Sequence, residues 1–403
     1  MKALPRRTRW LGIFAMALTV VTSNVVSRAD VRSDAGATPP TLRVRAFFSG
    51  HSLLDNPLPN WIEAMARGRG DSLGWQQQIV LGSPIRLRTR GEDANGSGFD
   101  GYRLGRSRAG GPIDVLGELE RPVQLAPGEK YDRLVIAERP DLLGTMQWEG
   151  TIDYLHDFHQ RVARQNPDAQ TLLYEVWPEI DRSDPAAWVR YVQQELFAWE
   201  CVAARVNDAL VAAGGRDGVR VVPAGLALSR LVQRAIDGDI PGVEGPVAKR
   251  LDAIFKDDLH LTPMAVYLMA SVHYGALFEK SPLGAVGADS VEAALLPMLQ
   301  SLAWGTLVEY RAGARPAPTL AECSARIAAE VCPAYHRIHG RASRAESCEL
   351  WTKPDSPLAG GPPPPMRGWA ARWGAAAVFV VLATLLLAAL WYRSAHSRRR
   401  ALG

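Results

Sequence analysis

The chain has few cysteines, little net charge and no metal-ligand spacing. Its four cysteines are Cys201, Cys323, Cys332 and Cys348, and none falls in a metal-binding pattern. The 46 basic residues barely exceed the 42 acidic ones, for a formal net charge of +4. Much of that excess sits at the two ends, at Lys2, Arg6, Arg7 and Arg9 and at Arg393, Arg398, Arg399 and Arg400. The middle is close to neutral, which excludes the basic footprint of a nucleic-acid-binding protein. What remains is ordinary globular material, 47% hydrophobic and 22% charged. A length of 403 residues allows one large domain with appendages, or two domains.

The terminal charges are better explained by membrane topology. Residues 1–29 read as a secretory signal: basic Lys2 to Arg9, apolar Trp10 to Val21, then Ser27-Arg28-Ala29 with cleavage near Ala29. An uncleaved signal anchor is the alternative. Residues 30–40 form a polar linker. Near the other end, residues 373–392 hold about 19 consecutive uncharged residues, enough to span a hydrocarbon core as a helix. Trp369, Trp373, Trp391 and Tyr392 flank it, and the basic tail 393–403 favours a cytoplasmic C-terminus. The expectation is a cell-membrane protein anchored by one helix, its body extracytoplasmic (periplasmic or extracellular). Residues 351–372 form a Pro/Gly-rich spacer with four consecutive prolines from Pro362.

In an oxidising compartment the cysteines can pair. Cys323 and Cys332 are nine residues apart in a helix-like run, hence on opposite faces, and are not expected to bridge each other. Cys348 is expected to pair with one of them. Cys201 lies in a helical pattern and reads as a buried free thiol.

Five short apolar runs alternate with helical patterns: Leu42–Phe48, Gln77–Leu81, Arg133–Ala137, Thr171–Trp177 and Val219–Pro223. Helices are expected over Thr145–Gln165, from Ser183-Asp184-Pro185 to Gly214, over Leu226–Asp237, and from Thr262-Pro263 to Phe278. This alternation predicts an α/β fold, a parallel five-stranded sheet covered on both faces. The Gly-rich stretch from Arg88 to Gly128 reads as a loop insertion of the kind that shapes a cleft. Residues 41–282 would form the main domain and 283–350 a small helical extension.

Sites in such sheets form at the carboxyl ends of strands. Gly50-His51-Ser52-Leu53 falls there, on a strand-to-helix turn that exposes a serine hydroxyl next to backbone N–H groups. Gly82 ends the second run. Glu138 and Arg139 end the third, and Glu175 and Trp177 the fourth. Phe255-Lys256-Asp257-Asp258-Leu259-His260 follows the fifth. A carboxylate three residues before a histidine in a tight loop can hold its Nδ1 and leave Nε2 to take a proton from a serine. Asp258 is the rival carboxylate.

With these blocks in this order, the chain resembles the SGNH/GDSL-like serine hydrolase (esterase/lipase) family over roughly residues 42–282. Gly50-His51-Ser52-Leu53 matches the first block, with His51 where the family usually has Asp. Gly82 fits the block that supplies an oxyanion N–H, and Asp257-Asp258-Leu259-His260 matches the closing Asp-x-x-His. The usual Gly-x-Asn-Asp block is replaced by Ala137-Glu138-Arg139-Pro140.

The resemblance implies a three-layer, flavodoxin-like fold and a Ser52–His260–Asp257 triad. The oxyanion would be met by the N–H groups of Ser52 and Gly82, with Arg139 as a further donor. His51, Glu138 and Trp177 are candidates for lining the substrate cleft. The chemistry needs no metal and no cofactor. The expected substrates are acyl esters, with acetyl groups on envelope carbohydrate as one candidate class. The alternative is a weak or inactive member of the fold that binds a glycan, a reading favoured by the missing Asn donor.

Overall fold

The run Ala46-Phe47-Phe48 is apolar at consecutive positions, as expected of a strand covered on both faces. In a computed structural model it is the centre of β1 (Arg43–Gly50), where Phe47 and Phe48 point to opposite sides and are both fully buried. The structure describes residues 41–92, 98–313, 316–340 and 342–360. The expected signal, the 30–40 linker, the membrane segment, the basic tail and residues 361–372 of the spacer lie outside them. Among the described residues, no helix is long and apolar enough to cross a membrane.

Four further strands complete one parallel sheet: β2 (Ser72–Ile79), β3 (Arg133–Ala137), β4 (Gln170–Tyr174) and β5 (Val219–Val222). Their order is β2-β1-β3-β4-β5. The chain steps from β1 outward to β2, crosses back to β3, then continues to the other edge. The direction therefore reverses between β1 and β3, which is where open parallel sheets hold their sites.

Helices α1 (Leu58–Gly68), α2 (Ile85–Thr89), α3 (Val115–Glu120), α4 (Leu142–Trp148), α5 (Thr151–Gln165) and α6 (Pro185–Ala212) connect the strands. Right-handed crossovers put α1 on one face and α5 and α6 on the other. After β5 come α7 (Ala224–Asp237), α8 (Val247–Asp252) and α9 (Pro263–Phe278). Asp184 caps α6 by accepting the Ala187 N–H at 2.9 Å, with Pro185 in the first turn, as its sequence implies.

Strand β2 lies several residues earlier than its sequence suggests. Ser72 and Gly74 are poor strand formers, but pairing with β1 places Leu73 and Trp75 in the core. The helix expected over Thr145–Gln165 is two helices, because Gly150 adopts a left-handed conformation, φ 60°, between α4 and α5. The Gly-rich insertion is not a plain loop. It begins in the last turn of α2 and contains a 3₁₀ turn at Asp100–Arg103 and α3. It is fastened to the end of β2 by reciprocal Ile79–Arg106 backbone hydrogen bonds of 3.1 Å each, so it buttresses a sheet edge.

The extension comprises α10 (Leu296–Ala312), packed on α9, and α11 (Leu320–Arg326) and α12 (Cys332–Ile338), packed against α6. Trp351 and Leu358 are buried, so the chain through 360 belongs to the packed body and the spacer begins later than its composition implies. Cys332 pairs with Cys348, while Cys323 pairs with Cys201. Cys201 is thus not a free thiol. Its partner lies 122 residues away and meets it only because α11 docks on α6.

The Cys201–Cys323 bridge closes a 122-residue loop and Cys332–Cys348 a 16-residue one. On chain entropy alone, removing the first should cost about 1.5–2 kcal/mol more than removing the second. Urea unfolding of the Cys201→Ala/Cys323→Ala and Cys332→Ala/Cys348→Ala variants measures this; equal losses would contradict it.

Candidate active site

β1 ends at Gly50, and a turn closed by the Leu54 N–H on the His51 carbonyl (2.9 Å) carries Ser52 toward α1. Ser52 is half-buried, and its Oγ lies 2.9 Å from His260 Nε2, although 208 residues separate them. His260 Nδ1 lies 2.8 Å from Asp257 Oδ2. The other oxygen of Asp257 accepts the N–H groups of Leu259 at 2.8 Å and His260 at 2.6 Å. Those contacts, the His260 N–H first, hold the Asp257 carboxyl down at about 2. An ionised carboxylate only accepts, so Nδ1 carries the imidazole proton and Nε2 is left to accept from the Ser52 hydroxyl.

Asp258 takes no part in this chain. It accepts from Arg182 Nε at 2.9 Å, and the same guanidinium reaches Asp252 at 2.7 Å and the Asp257 carbonyl at 3.2 Å. The loop is held from several sides. Trp177 Nε1 donates to the Leu259 carbonyl at 3.0 Å, Ile180 N–H to the Asp258 carbonyl at 2.7 Å, and Lys256 N–H to the His260 carbonyl at 2.7 Å. Thr262 does not cap α9 with its side chain; its hydroxyl donates to the Ala253 carbonyl at 2.6 Å and pins the loop's exit. The Asp257 and His260 side chains are 57% and 43% exposed, so the site faces solvent.

Gly82 lies just past β2 with φ 63°, a conformation that favours glycine, and no atom would crowd a Cβ there. Gly50 and Ile79 are register partners, and Val80 N–H donates to the Gly50 carbonyl at 3.0 Å. Ser52 and Gly82 therefore leave neighbouring strand ends. Among the described residues neither backbone N–H has a hydrogen-bond partner. Arg139, at the end of β3, is partly exposed, with its guanidinium 4.0 Å from the Asp141 carboxylate. No hydrogen bond joins it to Ser52 or His260 among the described residues.

Three residues expected to line the cleft do not. His51 is buried and its Nε2 donates to the Glu138 carbonyl at 2.9 Å, tying the Ser52 turn to β3. Burial, with the charge of Arg88 next, lowers its pKa to about 4 and keeps it neutral. Glu138 is fully buried and turned inward, accepting from Ile85 N–H at 3.0 Å, Arg139 N–H at 2.7 Å and Thr151 Oγ1 at 2.9 Å. Trp177 is core, and its role is the hydrogen bond to the histidine loop. Glu175 is buried too, accepting the Leu226 N–H at 3.0 Å. In each case tertiary packing turns the side chain inward from a strand end where it could equally have faced the cleft.

Arg88 and Arg182 were not anticipated. Arg88 lies between Arg86 and Arg90 where the Gly-rich stretch begins, and no local pattern there marks one arginine for burial. A groove bounded by Arg43, Gly74, Leu125 and Glu129 opens at the amino ends of β1 and β2, away from these groups.

No protein-family model matches the chain, and no curated protein does. Among solved structures, a crystal structure of a DUF4886 family protein from Bacteroides uniformis aligns with a TM-score of 0.44 at 12% identity. The alignment covers 66% of this chain and 95% of that one. A likeness that distant transfers neither family nor activity.

Proposed function

We propose that this chain is a serine esterase of the SGNH/GDSL type, with the flavodoxin-like three-layer fold of that family. The observation that carries the reading is the Ser52–His260–Asp257 chain, with links of 2.9 and 2.8 Å, at the carboxyl end of the strand beside the sheet's reversal point.

In this reading Ser52 Oγ attacks an ester carbonyl while its proton passes to His260 Nε2. The oxyanion is met by the N–H groups of Ser52 and Gly82, with the Arg139 guanidinium as a further donor. His260 then protonates the leaving alcohol, and the C–O bond to it breaks, leaving an acyl-Ser52 ester. Water, losing a proton to His260, releases the acid and restores Ser52. The steps as written use no metal or cofactor.

The expected substrates are acyl esters, acetyl esters of envelope carbohydrate among them. A C-terminal membrane helix would hold the domain outside the cytoplasm. Two disulfides in the body are in keeping with an oxidising compartment. A second reading, a fold relative that binds a glycan without turnover, is favoured by one observation. Arg139 stands where the family has its Asn donor, and its guanidinium lies 4.0 Å from the Asp141 carboxylate, with no hydrogen bond to Ser52 among the described residues.

A fluorophosphonate probe separates the two, because it reacts only with an activated serine. The esterase reading expects a single adduct on the peptide containing Ser52. Folded protein that stays unlabelled would favour the binding reading.

A further inference from the structure

Behind the nucleophile turn lies a buried charged network that the acyl-transfer steps do not use. Arg88, on α2, has 0% exposure. Its Nε donates to Ser49 Oγ at 3.1 Å, near the end of β1. Its Nη1 donates to the Ser83 carbonyl at 2.7 Å and to Ser83 Oγ at 2.9 Å, in the turn that contains Gly82. Its Nη2 donates to the Ala137 carbonyl, the last of β3. One planar guanidinium thus joins the carboxyl ends of three adjacent strands. A lysine, with one point charge, cannot reproduce that fork.

The surrounding contacts extend the same tie. Ser49 Oγ donates to Gln78 Oε1 at 3.0 Å, and Gln78 Nε2 donates to the Arg88 carbonyl at 3.0 Å. Glu138 lies close enough for its charge to act on Arg88, although no ion pair within 4.0 Å joins them among the described residues, and its carboxylate takes the Ile85 N–H at the start of α2. Both groups are shut off from water: burial raises the Glu138 pKa, the charge of Arg88 opposes that rise, and either charge would be costly without an opposite one nearby. Arg88 makes no hydrogen bond to Ser52 or His260 among the described residues, so it would act through the turns it holds.

We propose that Arg88 is the positioning residue of the oxyanion hole, holding the Gly82 turn and the end of β1 so that the N–H groups of Gly82 and Ser52 converge, with Glu138 as its retaining counter-ion. The proposal rests on the serine-esterase reading. Losing a single oxyanion donor costs other hydrolases about 10²–10³ in turnover, and a misplaced one should cost less.

The test uses the full-length protein with Arg88→Lys, Arg88→Met and Arg88→Met/Glu138→Gln, assayed on p-nitrophenyl acetate. The expected result for Arg88→Met is a kcat lower by about 10–100-fold with KM changed less than about threefold. Affinity for a boronic acid, which forms a tetrahedral adduct on serine, should fall in parallel. Arg88→Lys should lie in between. The double variant also removes the Glu138 carboxylate that loss of Arg88 leaves without an opposite charge, so its thermal midpoint should recover toward wild type while kcat stays low. If Arg88→Met does not fold, the other two variants carry the test. Wild-type kcat in the double variant, or kcat that merely follows the thermal midpoint, overturns the proposal. Equal turnover by wild type and Ser52→Ala overturns the esterase reading itself, and the assignment of Arg88 with it.

Discussion

Ser52→Ala and His260→Ala are each expected to lower turnover of acyl esters by about 10⁴–10⁶, with little change in fold stability. In the proposed mechanism Ser52 and His260 act as one unit. Without the base, the serine hydroxyl keeps its proton, and without the hydroxyl, the base has no bound group to activate. The double variant should therefore be about as slow as either single one, because what survives comes from substrate binding and the backbone N–H groups. Both side chains reach solvent at a strand end and a loop, so truncation leaves no core cavity. Steady-state kinetics on p-nitrophenyl acetate, with the thermal midpoint as control, makes the comparison. Wild-type turnover in Ser52→Ala would sink the mechanism.

Asp257→Asn should lower kcat by about 10³–10⁴ while leaving the loop folded. Asn keeps an oxygen able to accept the Leu259 and His260 N–H groups, so the turn survives. Its amide then presents N–H donors to His260 Nδ1, where the carboxylate had accepted. The imidazole is forced to carry its proton on Nε2, facing Ser52, and can no longer act as base.

The pH dependence of the loop follows from the depressed Asp257 pKa, about 2 against an ordinary value near 3.9. A carboxyl whose pKa falls on folding stabilises the fold above its unfolded value and loses that contribution as pH drops through its folded one. The loop contacts should thus be intact above about pH 4 and weaken between there and pH 2. A carboxylate ¹³C titration checks this: a midpoint near 4 for Asp257 would mean that the contacts do not form in solution.

How much was legible in the sequence depended on how local the cause was. The Asp184-Pro185 start and Gly214-Gly215 end of α6 were legible because capping and helix breaking involve neighbours in the chain. The same holds for β3, a five-residue apolar run found where it was expected. The Asp257–His260 pair could be read as a candidate because a three-residue step suffices for its geometry.

Other features depended on residues far away in the chain. Pairing with β1 decided where β2 begins, overriding the poor strand preference of Ser72 and Gly74. The docking of α11 on α6 decided the partner of Cys201. Burial decided that His51, Glu138 and Trp177 support the site from within, and that Arg88 lies beneath it. By itself, then, the sequence determined the alternation of strands and helices and the chemical types at the strand ends, since both follow from short-range periodicity and residue identity. Only the tertiary structure decided which of those side chains face solvent and which face the core. That choice depends on contacts between segments tens to hundreds of residues apart, and no local pattern encodes it.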